Sequence, residues 1–596
     1  MRRSEYDKHI LEEDIILQRL HKNSKMFLWA KLGTFLLAIF FIYKSVFNNF
    51  NQYWMIAFGL FIALYLVALF LDSKLQRKIV LHEHLKNTLE NEIAYLNRDY
   101  SPFDPGQDFI DPAHPYSFDL DVFGNESFFH RINRTVTDLG RNKLAYYLKN
   151  LTTNISNIVK RQEALNELAN LVKWRTLFIA VGSPTKVDLE TLSAELQTKD
   201  NPEVFESTKF KVSVGASCLL TLGAIILAIL GIAPTSLAIL FFLLQILAVI
   251  LFSGLIQKST QQVGKLFKGL HSYRDIINHI IETKFESEEL SALRNTLQVD
   301  GNVDIRKAFN ELSAILNRLD QRANLLAFIF LNGLFLNDLW TMNSFAIWKK
   351  KYASYLPKWA DTIGEFDALI SLSTYVYNQP ANCPVEFSED KSVLRAKGLY
   401  HPFIPKDKVV VNDFDLATHN FTIITGANMA GKSTFLRSVG INFIMALNGL
   451  TVCAEKFEVT PMELFSSMRT SDNLVKNISY FNAELIRIEQ MINYCKENRH
   501  TLIILDEILK GTNSIDKLKG SKLLLEEISK LPVSGIIATH DLELTKMADD
   551  NKHICNLCFE IELGDEINYT YKIEQGVAQN LNATYLLKKI ISKIHN

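Results

Sequence analysis

Gly426-Ala-Asn-Met-Ala-Gly431-Lys432-Ser433-Thr434 sets four residues between two glycines and follows the second with a lysine and two hydroxyls. This spacing suits phosphate: glycines let the backbone curl so that successive N–H groups face one point at the positive end of the following helix. Gly426, Ala427, Asn428, Met429, Ala430, Gly431 and Thr434 supply the cradle, Lys432 the charge for the β- and γ-phosphates, and Ser433 a hydroxyl for Mg²⁺. Downstream, Thr501-Leu-Ile-Ile-Leu505 ends in Asp506 and Glu507. A carboxylate there can hold the Mg²⁺ water shell, and its neighbour can polarise an attacking water as general base. Ile537-Ala-Thr539-His540 ends another apolar run in a histidine, placed to sense a γ-phosphate. The chemistry expected of Lys432, Glu507 and His540 is ATP hydrolysis, with Ser433 and Asp506 on the metal.

Each of these groups needs a fixed platform. Phe421-Thr-Ile-Ile-Thr425 is a short β-branched run before the loop, and an apolar helical pattern follows it, which predicts strand, loop and helix. The runs before Asp506 and His540 read as buried parallel strands. An α/β domain over 376–596 is the expectation.

Several strings here resemble the MutS branch of the ABC-type ATPases. They are Thr425-Gly-Ala-Asn-Met-Ala-Gly-Lys-Ser-Thr-Phe-Leu-Arg437, Asp506-Glu-Ile-Leu-Lys-Gly-Thr-Asn-Ser514 and Ala538-Thr-His-Asp-Leu-Glu-Leu-Thr545. The Asn428-Met429 pair is particular to that family. Ser479-Tyr-Phe-Asn-Ala-Glu484 resembles its signature segment, which implies that Ser479 acts on a partner's nucleotide, with Gly511, Thr512 and Asn513 at a homodimer interface. Asn133-Arg134-Thr-Val-Thr137-Asp-Leu-Gly140, Arg161-Gln-Glu-Ala-Leu165 and Phe366-Asp367-Ala-Leu-Ile-Ser371 are similar to the helical core that precedes the ATPase in MutS proteins. The resemblance implies ATP and Mg²⁺ as cofactors and DNA, duplex or branched, as a partner. Val409–Val411 stand where the family often has an aromatic residue against adenine, which leaves Val410 and Tyr571 as the adenine contacts. Lys510 replaces the family's arginine in the Asp-Glu loop. The mismatch sensors' wedge domain has no counterpart in the first hundred residues, which read as a membrane hairpin and a charged helix.

The full chain has 596 residues, 64 Lys+Arg against 65 Asp+Glu and 48% hydrophobic residues, which excludes a disordered chain and a bulk polybasic nucleic-acid binder. Two regions depart from that average. Tyr53 to Leu71 carries no charge, and Met26 to Tyr43 carries only Lys31, so the two read as a transmembrane hairpin about a short polar connector. Val212 to Gln257 is also uncharged, and Gly231-Ile-Ala-Pro234 divides it into spans at 212–230 and 237–256. Lys and Arg flank the outer ends of both hairpins, which puts the connectors outside and the rest in the cytoplasm. The expected order is a cytoplasmic leader (1–25), hairpin 1 (26–72), helical core (73–209), hairpin 2 (210–257), helical core (258–375) and ATPase (376–596). The resulting fold class is an α/β P-loop ATPase domain preceded by an all-α core, with two transmembrane hairpins. Its localisation is a bacterial inner membrane, held by four helices in the lipid bilayer.

Six cysteines in this length suit a reducing compartment. Cys555 and Cys558 read as two buried thiols on a strand, since zinc needs four ligands and no second pair stands at useful spacing. No haem, flavin or zinc is expected. Leu325–Leu336 is apolar but short for a span and reads as a buried core helix. Leu581–Ile594 is amphipathic, a dimer helix or a cap. ATP-dependent DNA binding without mismatch sensing is the leading function, against an ATP-driven membrane machine or an ATP-switched scaffold that binds no DNA.

Overall fold

The computed structural model describes residues 2–47, 52–183, 203–264, 267–298, 303–320, 322, 325–388, 392–469, 480–498, 500–563 and 567–579. Two long helices, α1 (Arg2–Phe47) and α2 (Gln52–Leu96), pair along their length. The chain does not break at 25 or at 72: the sequence offers no proline there, so leader, span and charged helix form two continuous rods of about 69 and 68 Å at 1.5 Å per residue. Near the free ends the rods are held by polar pairs, Glu13 with His82 at 2.6 Å and Asp14 with Lys86 at 2.7 Å. Toward the connector they are held by rings, Phe41 stacking on Phe61 and Trp54. Lys31 and Asp72, 2.7 Å apart, mark the change from one to the other. Beyond that pair the outward faces are apolar, with Phe47 70% and Tyr53 81% exposed.

A loop over 97–127, containing only a short 3₁₀ turn at Gln107–Phe109, leads into α3 (Phe128–Ile132), α4 (Asp138–Lys149), α5 (Ile155–Asn170) and α6 (Val172–Gly182). Then come α7 (Thr208–Ile229) and α8 (Thr235–Gly264), joined through Gly231, whose φ of 71° ends α7 in the left-handed turn glycine favours. α9 (Phe267–Glu282), α10 (Glu288–Gln298), α11 (Ile305–Asp320), α12 (Leu325–Phe335), α13 (Asn337–Tyr352) and α14 (Leu356–Asn378) complete the helical part. Among the described residues four helices are long and apolar enough to cross a membrane: α1, α2, α7 and α8. α12 departs from the expected core helix. It lies against α8 and α7, with Phe330 and Phe335 exposed on the face that nothing described covers.

α4 crosses α14 closely. A Cβ on Gly140 would collide with Asp367, and one on Gly364 would stand 3.0 Å from Leu139. Asp367 is fully buried and accepts from the amides of Val136 and Thr137 and from Thr137 Oγ1, while burial pushes its carboxyl up to about 7.

The C-terminal part holds two sheets. β1 (Val385–Phe387), β5 (Lys456–Val459), β2 (Ser392–Leu399) and β3 (Asn412–Ala417) lie in that order, β1 and β5 parallel and the rest antiparallel. The larger sheet has the order β10-β9-β4-β8-β7-β6, from β4 (Phe421–Gly426), β6 (Glu463–Ser467), β7 (Thr501–Asp506), β8 (Val533–Ala538), β9 (Ile554–Leu563) and β10 (Ile567–Gln575). All pairs are parallel except β9 with β10. Both faces are covered, so β4 and β8 are buried along their whole length and β7 as far as Leu505. Ile424, Ile504 and Ile536 point to α15 (Lys432–Leu447), and Ile423, Ile503 and Ile537 to the side of α16 (Tyr480–Glu497) and α17 (Ser514–Ile528).

The helical part is tied together where α14 ends. Glu92 of α2 accepts from Arg134 Nε at 2.6 Å and from Asn378 Nδ2 at 2.6 Å, and Asn378 accepts from Tyr6 of α1 at 2.8 Å. Arg2 donates to the Tyr377 carbonyl, and Arg175 of α6 to Thr374. Glu92 and Arg134 are 4% and 5% exposed, so neither charge has water to fall back on. Arg134→Met is therefore expected to destabilise the detergent-solubilised protein by about 3–5 kcal/mol, and Arg134→Met with Glu92→Leu by less than either change alone. Chemical unfolding curves of the three variants check this.

Candidate active site

β4, β7 and β8 are neighbours in the sheet, and their C-terminal ends open on one side, which is where α/β sheets bind ligands. The loop after β4 curls as the glycine spacing predicts: Gly426 has φ 154°, Met429 67° and Gly431 114°. Lys432, first residue of α15, is 6% exposed and folds back on its own loop, donating to the carbonyls of Gly426 at 2.8 Å and Ala427 at 2.9 Å. Burial lowers its ammonium to about 8, against the pull of the Asp506 and Glu507 carboxylates. Ser433 and Thr434 face solvent beside it.

Glu507 sits just past β7 in a left-handed conformation, φ 60°, with its amide bonded to the Ala538 carbonyl at 2.9 Å. The bond fastens the end of β7 to the end of β8. Glu507 Oε1 is 3.1 Å from His540 Nε2, and Lys517 of α17 stands 3.6 Å from Oε2. His540 Nε2 also lies 3.4 Å from Lys432 Nζ. One ring nitrogen cannot serve both neighbours at once, and the shorter distance favours a neutral tautomer whose Nε2–H donates to Glu507. Burial, followed by the Lys432 charge, holds the imidazole below its usual range, which keeps it neutral at pH 7. Lys432, Glu507 and His540, far apart in sequence, thus form one contact group.

The proposed metal ligands are an exposed hydroxyl, Ser433, and a half-buried carboxylate, Asp506, at the end of β7. Hard oxygen donors fit Mg²⁺, which keeps several waters and takes further oxygens from phosphates. Among the described residues no group of three or more His, Cys, Asp or Glu side chains converges, so no protein-only metal cage is built there.

Beside the loop lies a cavity of about 320 Å³ lined by Tyr400, Val410, Asn412, Gly431, Phe435 and Tyr571, among others. Val410 and Tyr571 therefore share one pocket. Tyr571 has φ 53°, and its ring covers Gly431 so closely that a Cβ there would stand 3.2 Å from it. Asn412 holds this arrangement, donating to the Tyr571 carbonyl at 3.0 Å and accepting from the Ile573 amide at 2.9 Å.

Ser479 lies outside the described residues, as does Leu581–Ile594. Glu484, at the other end of the signature string, is buried and accepts from the amides of Lys510 and Gly511, both at 2.9 Å. Gly511 and Asn513 are exposed and Thr512 half-buried; Asn513 caps α17 through the Asp516 amide. Cys555 and Cys558 are not both buried: Cys555 is exposed and Cys558 buried, because a spacing of three puts two side chains on opposite faces of β9.

Sequence reasoning missed Lys517, which no local pattern singles out. It also missed the loop over 97–127, which docks on the C-terminal α/β part through Arg437 and Arg469. Asp121 pairs with Arg437 of α15 at 2.9 Å and with Arg469, just past β6, at 2.7 Å. Asp119, buried nearby, accepts from the Arg469 amide and from Ser466, with Arg487 of α16 3.4 Å away. These acids stand among hydrophobic residues with no catalytic spacing to mark them.

Residues 422–588 match the family MutS domain V. The chain is 33% identical over 247 residues to the DNA mismatch repair protein MutS of Ehrlichia ruminantium (strain Welgevonden), covering 40% of this chain and 30% of that protein. It is 29% identical over 238 residues to the protein of that name from Petrotoga mobilis (strain DSM 10674 / SJ95), covering 39% and 28%. The chain thus spans under a third of the length of these relatives. The core strings at 133–165 and 366–371 lie outside the matched family segment.

The position of Lys432 has a measurable consequence. Its folded value of about 8 lies below its ordinary 10.5, so the buried charge destabilises the fold below pH 8, and stability rises as pH climbs from about 8 to 10.5. A bound triphosphate restores the charged form. Binding of ATP at about pH 9 is therefore expected to take up close to one proton per site, and Lys432→Met to abolish that uptake. Calorimetry in two buffers of different ionisation enthalpy measures it.

Proposed function

We propose that this chain is a membrane-anchored, homodimeric ATPase of MutS type, with its catalytic domain in the cytoplasm and hairpins 1 and 2 (α1 with α2, α7 with α8) in the bilayer. The observation that carries the reading is the contact group of Lys432, Glu507 and His540 at the ends of three adjacent strands. Lys432 exchanges its loop carbonyls for the β- and γ-phosphates, and the N–H groups of Gly426 to Gly431 hold the same oxygens. Ser433 and Asp506 hold Mg²⁺, which supplies charge neutralisation between the phosphates when bound. Glu507 orients a water and accepts its proton as the new P–O bond forms and the bond to the bridging oxygen breaks, giving ADP and phosphate. His540, neutral, donates its Nε2–H to Glu507 and in this reading turns that hydrogen bond to the γ-phosphate once ATP is bound. Val410 and Tyr571 enclose the adenine.

Ser479, Gly511, Thr512 and Asn513 belong to a second copy's site in this reading. ATP then closes the dimer and moves the helical core. The relatives' name supports DNA, duplex or branched, as what that closure grips, in a process related to mismatch repair. A second reading has the same cycle move the membrane hairpins without nucleic acid. The bonding of α1 and α2 to the end of α14, next to the ATPase domain, favours it.

Glu507→Gln is expected to lower ATP turnover about 10²- to 10⁴-fold while leaving ATP binding intact. Binding of paired, mismatched and branched DNA by the solubilised protein, with and without ATP across a salt series, separates the two readings. Nucleotide-dependent affinity whose logarithm falls with log[salt] supports DNA. Binding no stronger than that of Lys432→Ala, with hydrolysis by the unsubstituted protein intact, leaves the membrane machine.

A further inference from the structure

α12 is an uncharged helix of 11 residues, about 16 Å long, roughly half of what a ~30 Å hydrocarbon core requires. It runs against α8 so closely that a Cβ on Gly333 would collide with the ring of Phe242. Phe242 precedes Ile256, the cytoplasmic end of that span, by about 21 Å of helix. Gly333 therefore stands alongside the interior of the apolar layer rather than at its edge. Phe330 is 58% and Phe335 47% exposed, like Leu243 and Leu247 on the outward side of α8.

At Leu336 the chain turns, with φ 50°, and α13 leads back along α7, where Trp340 stands 3.9 Å from the Cβ position of Gly215. A turn at such depth leaves backbone groups that lipid cannot satisfy. Here they are satisfied from within. Asn332, 1% exposed, accepts from the Asp338 amide at 2.9 Å, the Leu336 amide bonds to the Asn332 carbonyl, and the Leu339 and Trp340 amides bond to the Leu336 carbonyl. Arg322 pairs with the buried Asp338 at 2.7 Å, so the acid at the turn carries its own counter-charge. Farther along α13, Asn343 donates to the Phe205 carbonyl and Trp348 to the Ala308 carbonyl, which returns the helix to the core.

We propose that α12 and the first turn of α13 form a re-entrant wedge that enters the bilayer beside α7 and α8 without crossing it, with Phe330 and Phe335 among lipid acyl chains. The inference rests on the reading of α7 and α8 as membrane spans. It adds a fifth contact with the bilayer, one built into the helical core itself.

The test places the photo-crosslinker p-benzoylphenylalanine at Phe330, at Leu247 of α8 and at Tyr146, an exposed position on α4, in the full chain reconstituted in phosphatidylethanolamine–phosphatidylglycerol vesicles with an alkyne-tagged phospholipid. Phe335 is substituted in parallel, and unchanged ATP hydrolysis identifies the variants that fold. Lipid adducts at 330 or 335 within about threefold of those at 247, and at least about tenfold above those at 146, are the expected result. Adducts at 247 with none at 330 and 335, or at those two only crosslinks to a second copy or another protein, overturn the wedge. Absence of adducts at 247 overturns the membrane reading first, and the wedge with it.

Discussion

The ion pair between Glu92 and Arg134 is the constraint on which the arrangement of this molecule depends. Two charges almost without solvent must be held by each other and by the groups around them. Those groups come from four separate stretches: Tyr6 on the first rod, Tyr95 and Phe103 under the guanidinium, and Asn378 at the end of α14. Because these partners converge on one ion pair, the rods, the start of the helical core and the helix that feeds β1 are fixed at one point. The loop at 426–431 and the carboxylates beside it are held differently, by parallel strands and by a carbonyl grip on Lys432.

This difference explains what was legible in the sequence. The loop at 426–434 and the strand ends at 506–507 and 540 are chemistry written in adjacent residues, so type and spacing suffice to find them. The membrane-length helices were legible for the same reason, since apolar length is a local property. Glu92, Arg134 and Asn378 lie in three unrelated strings, and nothing in any of them announces the other two. The same holds for Asp121 with Arg437 and Arg469.

Two expectations failed for instructive reasons. A twelve-residue apolar run was read as core because it is too short to span, but length alone does not say which neighbours cover it, and α7 and α8 leave Phe330 and Phe335 exposed. Cys555 and Cys558 were read as a buried pair because their segment is apolar on average. Strand geometry turns one outward whatever the average is.

Asp121 has two oxygens and two guanidinium claimants. One belongs to α15, whose first residue is Lys432; the other stands at residue 469, directly before the segment that leads to Ser479. A carboxylate shared in this way works like the pivot of a balance. Any shift of α15 means that the bond to Arg437 and the bonds to Arg469 cannot all keep their lengths, so the disturbance is divided between α15 and the chain that follows β6. The pivot itself is mounted on the loop that joins the two long rods to the helical core, so a displacement of α15 by tenths of an ångström has a third element to act on.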